Sequence, residues 1–236
     1  AQVLAAHRAQ PRLQAHLQPV SPATRRVLSA LDVERVRYRL EDELLSQLGK
    51  TADFDGLTAR SAAAFDGTRV RRELLARSLR LSPSMAPEAH GALAESARVL
   101  GIVGEVELYQ SAGPENASMH LVEAPILVEV QGRLLTQLDE AGLQMVFGHE
   151  LGHYLAHGSG GTRGPRQLAA RALALGAAGD TSARRAAQLL QVASEITADR
   201  FGLLSCQDLG GLLRAQMSIT TGLPVVALTW DTQAYL

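Results

Sequence analysis

Cysteine is almost absent from this 236-residue sequence. The single one, Cys206, excludes an intramolecular disulfide framework and any zinc site built from several thiolates. It follows an apolar stretch and is expected to be a buried structural thiol. Lysine is as scarce, Lys50 being the single one among 23 basic residues. With 24 acidic residues the formal net charge is -1, so nothing in the balance points to nucleic acid or an anionic membrane as partner. Also missing is any uninterrupted apolar run of about 18 residues, so no segment is expected to span a bilayer. What remains is 46% hydrophobic and 20% charged, a globular composition, in a chain long enough for one or two domains with a full-sized core. The sequence opens at Ala1 rather than methionine, so a removed signal peptide or upstream domain would leave no trace in it. A cytoplasmic location is the expectation, or a secreted or periplasmic one if such a leader has gone.

Residues 1–24 are rich in Gln, Pro and Ala and weakly periodic, which reads as a loose arm. Apolar residues then recur every three or four positions from Arg25 to Leu48, an amphipathic helix ended by Gly49. Further helices are predicted over Asp66–Leu81, whose arginines read as a solvated face, and over Ala86–Gly101. The period then drops to two. "EVELYQ" and the β-rich "APILVEVQ", with a short extended piece between them, predict about three strands within residues 102–131. A helix from about Glu140 to His157 follows, with Asp139 as its N-cap. Beyond a Gly-rich loop over 158–165 come helices at about Arg166–Leu175 and Ser182–Cys206, the latter capped by Asp180 or Thr181. The stretch 207–236 is broken by glycines and has no clear pattern.

The informative segment is "FGHELGHYLAHG", residues 147–158, which contains His149-Glu150-x-x-His153. On a helix, residues four apart differ by about 40° in azimuth and about 6 Å in rise, so both imidazoles can converge on one ion. Zinc takes neutral imidazole nitrogen at about 2.0–2.1 Å, and catalytic sites add a third protein ligand and a water. Glu150 follows the first histidine and can reach that water without binding the metal, as a base would. With 7 His and 14 Glu in 236 residues, the pattern arises by chance on the order of once in a hundred such chains. The bland alternative, two surface histidines on an amphipathic helix, conflicts with the apolar neighbours Met145, Val146, Phe147, Leu151 and Leu155.

A third histidine at metzincin spacing is missing, since Ala156 and Ser159 stand where the pattern needs glycine and histidine. "SEITADRFG" instead offers Glu195, with Asp199 one helical turn later. Glu195 is the expected third ligand, with Asp180 and Asp208 as less suitable competitors in loops or helix ends. Asp199 could accept the outer N–H of a ligating histidine and fix its tautomer. His157 lies too far along the helix to share the ion with His149 and His153. It is expected at the rim of a cleft or balancing charge at the helix C-terminus.

These motifs resemble the gluzincin metallopeptidases of the CAAX prenyl protease and HtpX type. "HELGHYLAHG" matches the first zinc helix and "SEITADRFG" the E-x-x-x-D helix, and the resemblance runs over about residues 86–206. It implies a zincin-like fold with one Zn²⁺ per chain, held by His149, His153 and Glu195, with Glu150 as general base and acid and Asp199 behind the ligands. Asn116 and Ala117 would lie on or beside an edge strand bordering the cleft, where an extended peptide can add as a further strand. The membrane-embedded relatives carry transmembrane helices and this sequence does not, so a prenylated or membrane substrate is not implied. No histidine follows Glu195, which leaves the oxyanion-stabilising residue open among Arg200, Tyr154 and His157.

The resulting expectation is an α+β, mainly helical metallopeptidase with a small sheet over the zinc helix. It divides into the arm 1–24, a helical region 25–82 packed on the core, and a catalytic domain 83–236. The expected activity is that of a soluble zinc-dependent endopeptidase, hydrolysing peptide bonds of a peptide or protein substrate by Glu-assisted attack of a zinc-bound water. The alternative is a non-proteolytic or latent zinc-binding module on the same fold.

Overall fold

The computed structural model describes residues 25–28, 31–63, 66–122, 124–158, 162–176 and 181–227. The expected arm 1–24, the Asp180 cap, residues 159–161 of the Gly-rich loop and the end of the chain from 228 lie outside them. Four helices come first: α1 (Val33–Val36), α2 (Leu40–Leu48), α3 (Phe54–Ala63) and α4 (Gly67–Arg77). Then follow β1 (Leu79–Leu81), α5 (Pro87–Val99), β2 (Val106–Ser111), β3 (Asn116–His120) and β4 (Ile126–Gln131). The rest is helical: α6 (Leu134–Gln137), α7 (Glu140–His153) running into a π-helical turn (Tyr154–Gly158), α8 (Arg163–Ala174), α9 (Thr181–Cys206) and α10 (Leu209–Thr221).

The fold is α+β and mainly helical, with a sheet of four strands rather than about three. The extra strand is β1, in a segment predicted as the end of a helix. Ser78 has extended backbone and stops α4, and Leu79–Leu81 pair antiparallel with Gln110–Leu108. The strand order is β1-β2-β4-β3, with β2 and β4 parallel and β3 antiparallel to β4, so β3 forms an edge. Two other differences concern the N-terminal segment. The helix expected from Arg25 to Leu48 is broken into α1 and α2 with a non-helical Arg37 between them, and α3 had no clear periodic signal.

Both faces of the sheet are covered, which explains why strict polar-out alternation fails. Leu108, Val128 and Val130 enter the main core with α5, α7 and the C-terminal half of α9. Tyr109 and Leu127 face α4 and pack with Leu74. On that same face Glu107 and Glu129 are buried, and α4 supplies their counter-charges. Arg71 makes a two-pronged contact with Glu107 at 2.8 and 2.9 Å, and Arg77 does so with Glu129 at 2.6 and 2.8 Å. The arginines of α4 are therefore not only a solvated face; two of them clamp the helix to the sheet. His120 Nε2 also lies 3.3 Å from Glu129. A second cluster, between α2, α3, α8 and the N-terminal half of α9, contains Leu48, Phe54, Leu173 and Leu190. Helix α9, with 26 residues, thus runs through both cores. Cys206 is fully buried, and burial pushes its thiol up to about 11. Among the described residues no helix is long and apolar enough to cross a membrane.

Burial tends to raise the Glu129 carboxyl, but hydrogen bonds from Arg77 and Ser111 outweigh it and hold the group at about 2. A depressed carboxylate stabilises the fold above its unfolded value near 4.5 and loses that contribution as pH falls towards 2. Glu129→Gln should therefore lower stability at pH 7 by on the order of 2 kcal/mol, allowing for screening at the half-exposed Arg77. The gap to wild type should close between pH 4.5 and 2, as read by urea unfolding across that range. A gap that stays constant with pH would contradict the assignment.

Candidate metal centre

Helices α7 and α9 approach each other through glycines. A Cβ on Gly152 would stand 2.5 Å from Phe201 Cβ, and one on Gly148 would stand 2.3 Å from Ser205 Cβ. Gly202 answers from the other helix, where a Cβ would meet Met145 O at 2.9 Å. Gly148 and Gly152 are four apart and form one stripe, so the backbones can nearly touch along it. His149 and His153 form the next stripe round the helix. The close crossing brings that stripe against the Glu195 and Asp199 stripe of α9. Asp139 starts α7 as expected, its carboxylate accepting from the Gly142 amide at 2.8 Å.

The result is a compact donor set. His149 Nε2 lies 3.3 Å from Glu195 Oε2, and His153 Nε2 lies 3.7 Å from Glu195 Oε1. One ligand atom from each of His149, His153 and Glu195 fits within 4.8 Å of the others. A tetrahedral zinc with ligands at about 2.0–2.1 Å holds them roughly 3.3–3.4 Å apart, so the set suits one ion with small adjustment. Asp199 Oδ1 lies 3.0 Å from His149 Nδ1, which directs Nε2 at the cluster. Asp180 is outside the described residues, and Asp208 is a helix cap accepting from Gly211.

The charged groups of the cluster act on one another. Burial works against a charged His149, but the Asp199 and Glu195 hydrogen bonds overcome it and lift the ring to about 10. Burial and the charge of His149 push His153 down to about 3. Glu150 is buried and raised to about 7, mainly by desolvation, while the Met119 backbone of β3 hydrogen-bonds it.

Past His153 the chain winds as the π-helical turn, a form common at functional sites. It carries His157 inward, to only 3% exposure. His157 Nε2 sits 2.8 Å from Glu41 Oε2 and 3.4 Å from Ser194 Oγ. Thr197 donates its hydroxyl to the other Glu41 oxygen, and Gln167 lies 3.4 Å from Glu41 Oε2. Glu41 is wholly buried, and both its oxygens are engaged, as an interior carboxylate requires. His157 does line the cavity beside the cluster, but from a buried position fixed by α2. Its ring lies 5.8 Å from that of His153, centroid to centroid. Arg200, a candidate oxyanion residue, is occupied elsewhere: it donates to Val36 O at 2.9 Å and stacks over Tyr38.

Two cavities flank the cluster along β3. Both are bordered by Asn116, Ala117, His149, Glu150 and Glu195. One, about 250 Å³, is walled by Leu134, Met145, Val146 and Ile219. The other, about 360 Å³, is more polar, with Ser118, Gln167, Arg171, Gln191 and Ser194. A larger cavity of about 490 Å³ lies between α2 and the start of α8, without histidine or a metal-donor cluster. Glu41, Arg171 and Gln191 carried no signal in the sequence, because they sit on ordinary amphipathic helices and their meeting is tertiary.

No family model and no solved structure matches this sequence. The chain is 29% identical, over 168 residues, to the plastoglobule-localized metallopeptidase 48, chloroplastic, of Arabidopsis thaliana. That alignment takes in 70% of this chain and 49% of the plant protein, so the chain spans about half the length of the relative it matches. The similarity is to a protein named a metallopeptidase, and the His149, His153 and Glu195 cluster is a set of donors that could hold a metal ion.

The glycine crossing can be checked directly. Gly152→Ala should lower stability by roughly 1–3 kcal/mol, because Phe201 must give way in a packed core. Gly91→Ala, whose new methyl meets nothing within 4 Å on α5, should instead stabilise by up to about 1 kcal/mol. Thermal melts read both, and an unchanged melting temperature for Gly152→Ala would refute the close approach.

Proposed function

We propose that this chain is a zinc-dependent endopeptidase of the gluzincin type, resembling the CAAX prenyl protease and HtpX group. The observation that carries the reading is the donor set drawn from two helices, with the buried Glu150 carboxylate beside it. His149, His153 and Glu195 would hold the ion, and Asp199 would keep His149 in the tautomer whose Nε2 faces it. Bound zinc supplies Lewis acidity, polarising the scissile carbonyl and lowering the pKa of water towards 7.

The remaining chemistry belongs to side chains of this protein. Glu150 borders both cavities, takes a proton from the attacking water on its carboxylate, and returns it to the leaving amine nitrogen. Its burial keeps bulk water from competing for that proton. Edge strand β3 presents main-chain groups at Asn116 and Ala117, where an extended substrate can add as a strand and cross the cluster. A site used only to bind metal has no role for Glu150.

Metal analysis of wild type and Glu150→Gln should find one zinc per chain in both. Peptide-library cleavage should fall by roughly 10²–10⁴-fold in the variant, the range for loss of a general base. Chelation should abolish cleavage in wild type, and zinc should restore it. Full zinc in both chains with no cleavage by either would replace the peptidase reading with that of a metal-binding module.

A further inference from the structure

Most arginines at structural positions have partners: Arg71 and Arg77 hold the sheet carboxylates, Arg163 pairs with Asp42, and Arg200 caps α1. Arg171 on α8 does not. The residue is exposed and its side chain makes no hydrogen bond or ion pair among the described residues, but it lines the 360 Å³ cavity that also borders His149, Glu150, His153 and Glu195. Its charge acts on Glu195, His153 and His120. The acids in that cavity are Glu150 and Glu195, and neither is hydrogen-bonded to Arg171, so its guanidinium N–H groups have no carboxylate partner there. A second unmet donor stands in the same wall: the side-chain amide nitrogen of Gln191 is buried and has no hydrogen-bond partner among the described residues. The cavity on the other flank has no arginine; beyond the cluster residues it is lined by Leu134, Met145, Val146 and Ile219 together with Asp199 and Gln216.

We propose that Arg171, with Gln167 and Gln191, forms a subsite for an acidic side chain of the substrate peptide. A guanidinium offers paired N–H groups that match a carboxylate, and a side-chain amide adds a further donor at the same place. A peptide extended along β3 then meets the two flanks in turn. The substrate class is a peptide with Asp or Glu on one side of the scissile bond and an aliphatic residue on the other. This specificity rests on the peptidase reading above, but the subsite itself is a binding property and can be tested without turnover.

The test has a cleavage arm and a binding arm. Wild type digesting a peptide library should enrich Asp and Glu at one position on one side of the cut. The Glu-to-Gln preference there, about tenfold in kcat/KM for charge-assisted hydrogen bonds, should fall to about one in Arg171→Ala. It should invert towards Lys in Arg171→Glu. Arg185→Ala, an exposed arginine outside the cavity, should leave the preference as in wild type. Cleavage with no acidic enrichment, or enrichment that survives Arg171→Ala, overturns the subsite and leaves the peptidase reading intact. In the binding arm, zinc-loaded Glu150→Gln is titrated with labelled peptides that differ only by Glu, Gln or Lys. Tighter binding of the Glu peptide, lost on adding Arg171→Ala, supports the subsite even if no peptide is cut. Equal affinity for all three peptides overturns it.

Discussion

Two helices can share one small cluster of side chains only if their backbones come close, and here glycine sets that distance. Gly148, Gly152 and Gly202 leave no Cβ between α7 and α9, so Phe201 and Ser205 lie directly on the first helix. With any larger side chain in that seam the helices would move apart, and the 3.3 Å separation between His149 and Glu195 would open with them. The rest of the molecule serves this crossing. Helix α9 is anchored in one core at its N-terminal half and in another at its C-terminal half, so Glu195 lies between two fixed ends. The sheet closes the opposite side, with β3 placed where its Met119 backbone meets Glu150.

The parts legible in the sequence are those that obey a short period. His149 and His153, and likewise Glu195 and Asp199, are four apart, which on any helix means one face. Their helices were also marked by strong apolar patterns, and Asp139 by capping chemistry. Strand β2 was legible from its two-residue alternation and β4 from its β-rich run. Strand β1 was not, because three residues after a helix carry no periodicity, and only pairing with β2 makes them a strand. Glu107 reads as a polar position of a two-period strand, and Glu129 lies within a β-rich run. They are buried because α4 lies on that face, a fact of tertiary arrangement that no local pattern encodes. The Glu41–His157 contact joins positions 116 residues apart in sequence, and nothing around Glu41 distinguishes it from the other acids of its helix.

The two sides of the cluster are chemically unlike. One cavity combines aliphatic side chains with Asp199 and Gln216, and the other is lined by amides, two serine hydroxyls and a guanidinium. A symmetric groove would give a peptide no preferred register. Under the proposed peptidase reading, this asymmetry would give each flank its own demand and set the direction of a peptide across the cluster.

Glu41 has a consequence for how the polypeptide can be divided. Its carboxylate reaches from the second helix into the interior beneath the histidine helix, where His157 and Thr197 are its partners. Remove residues 25–63, and those two groups lose the carboxyl group that partners them, while Leu173 and Leu190 lose the wall formed by Leu48 and Phe54. The N-terminal helices are thus a keystone rather than a cover. A fragment trimmed to the histidine and glutamate motifs would keep every recognisable signature and lack the counterweight beneath them.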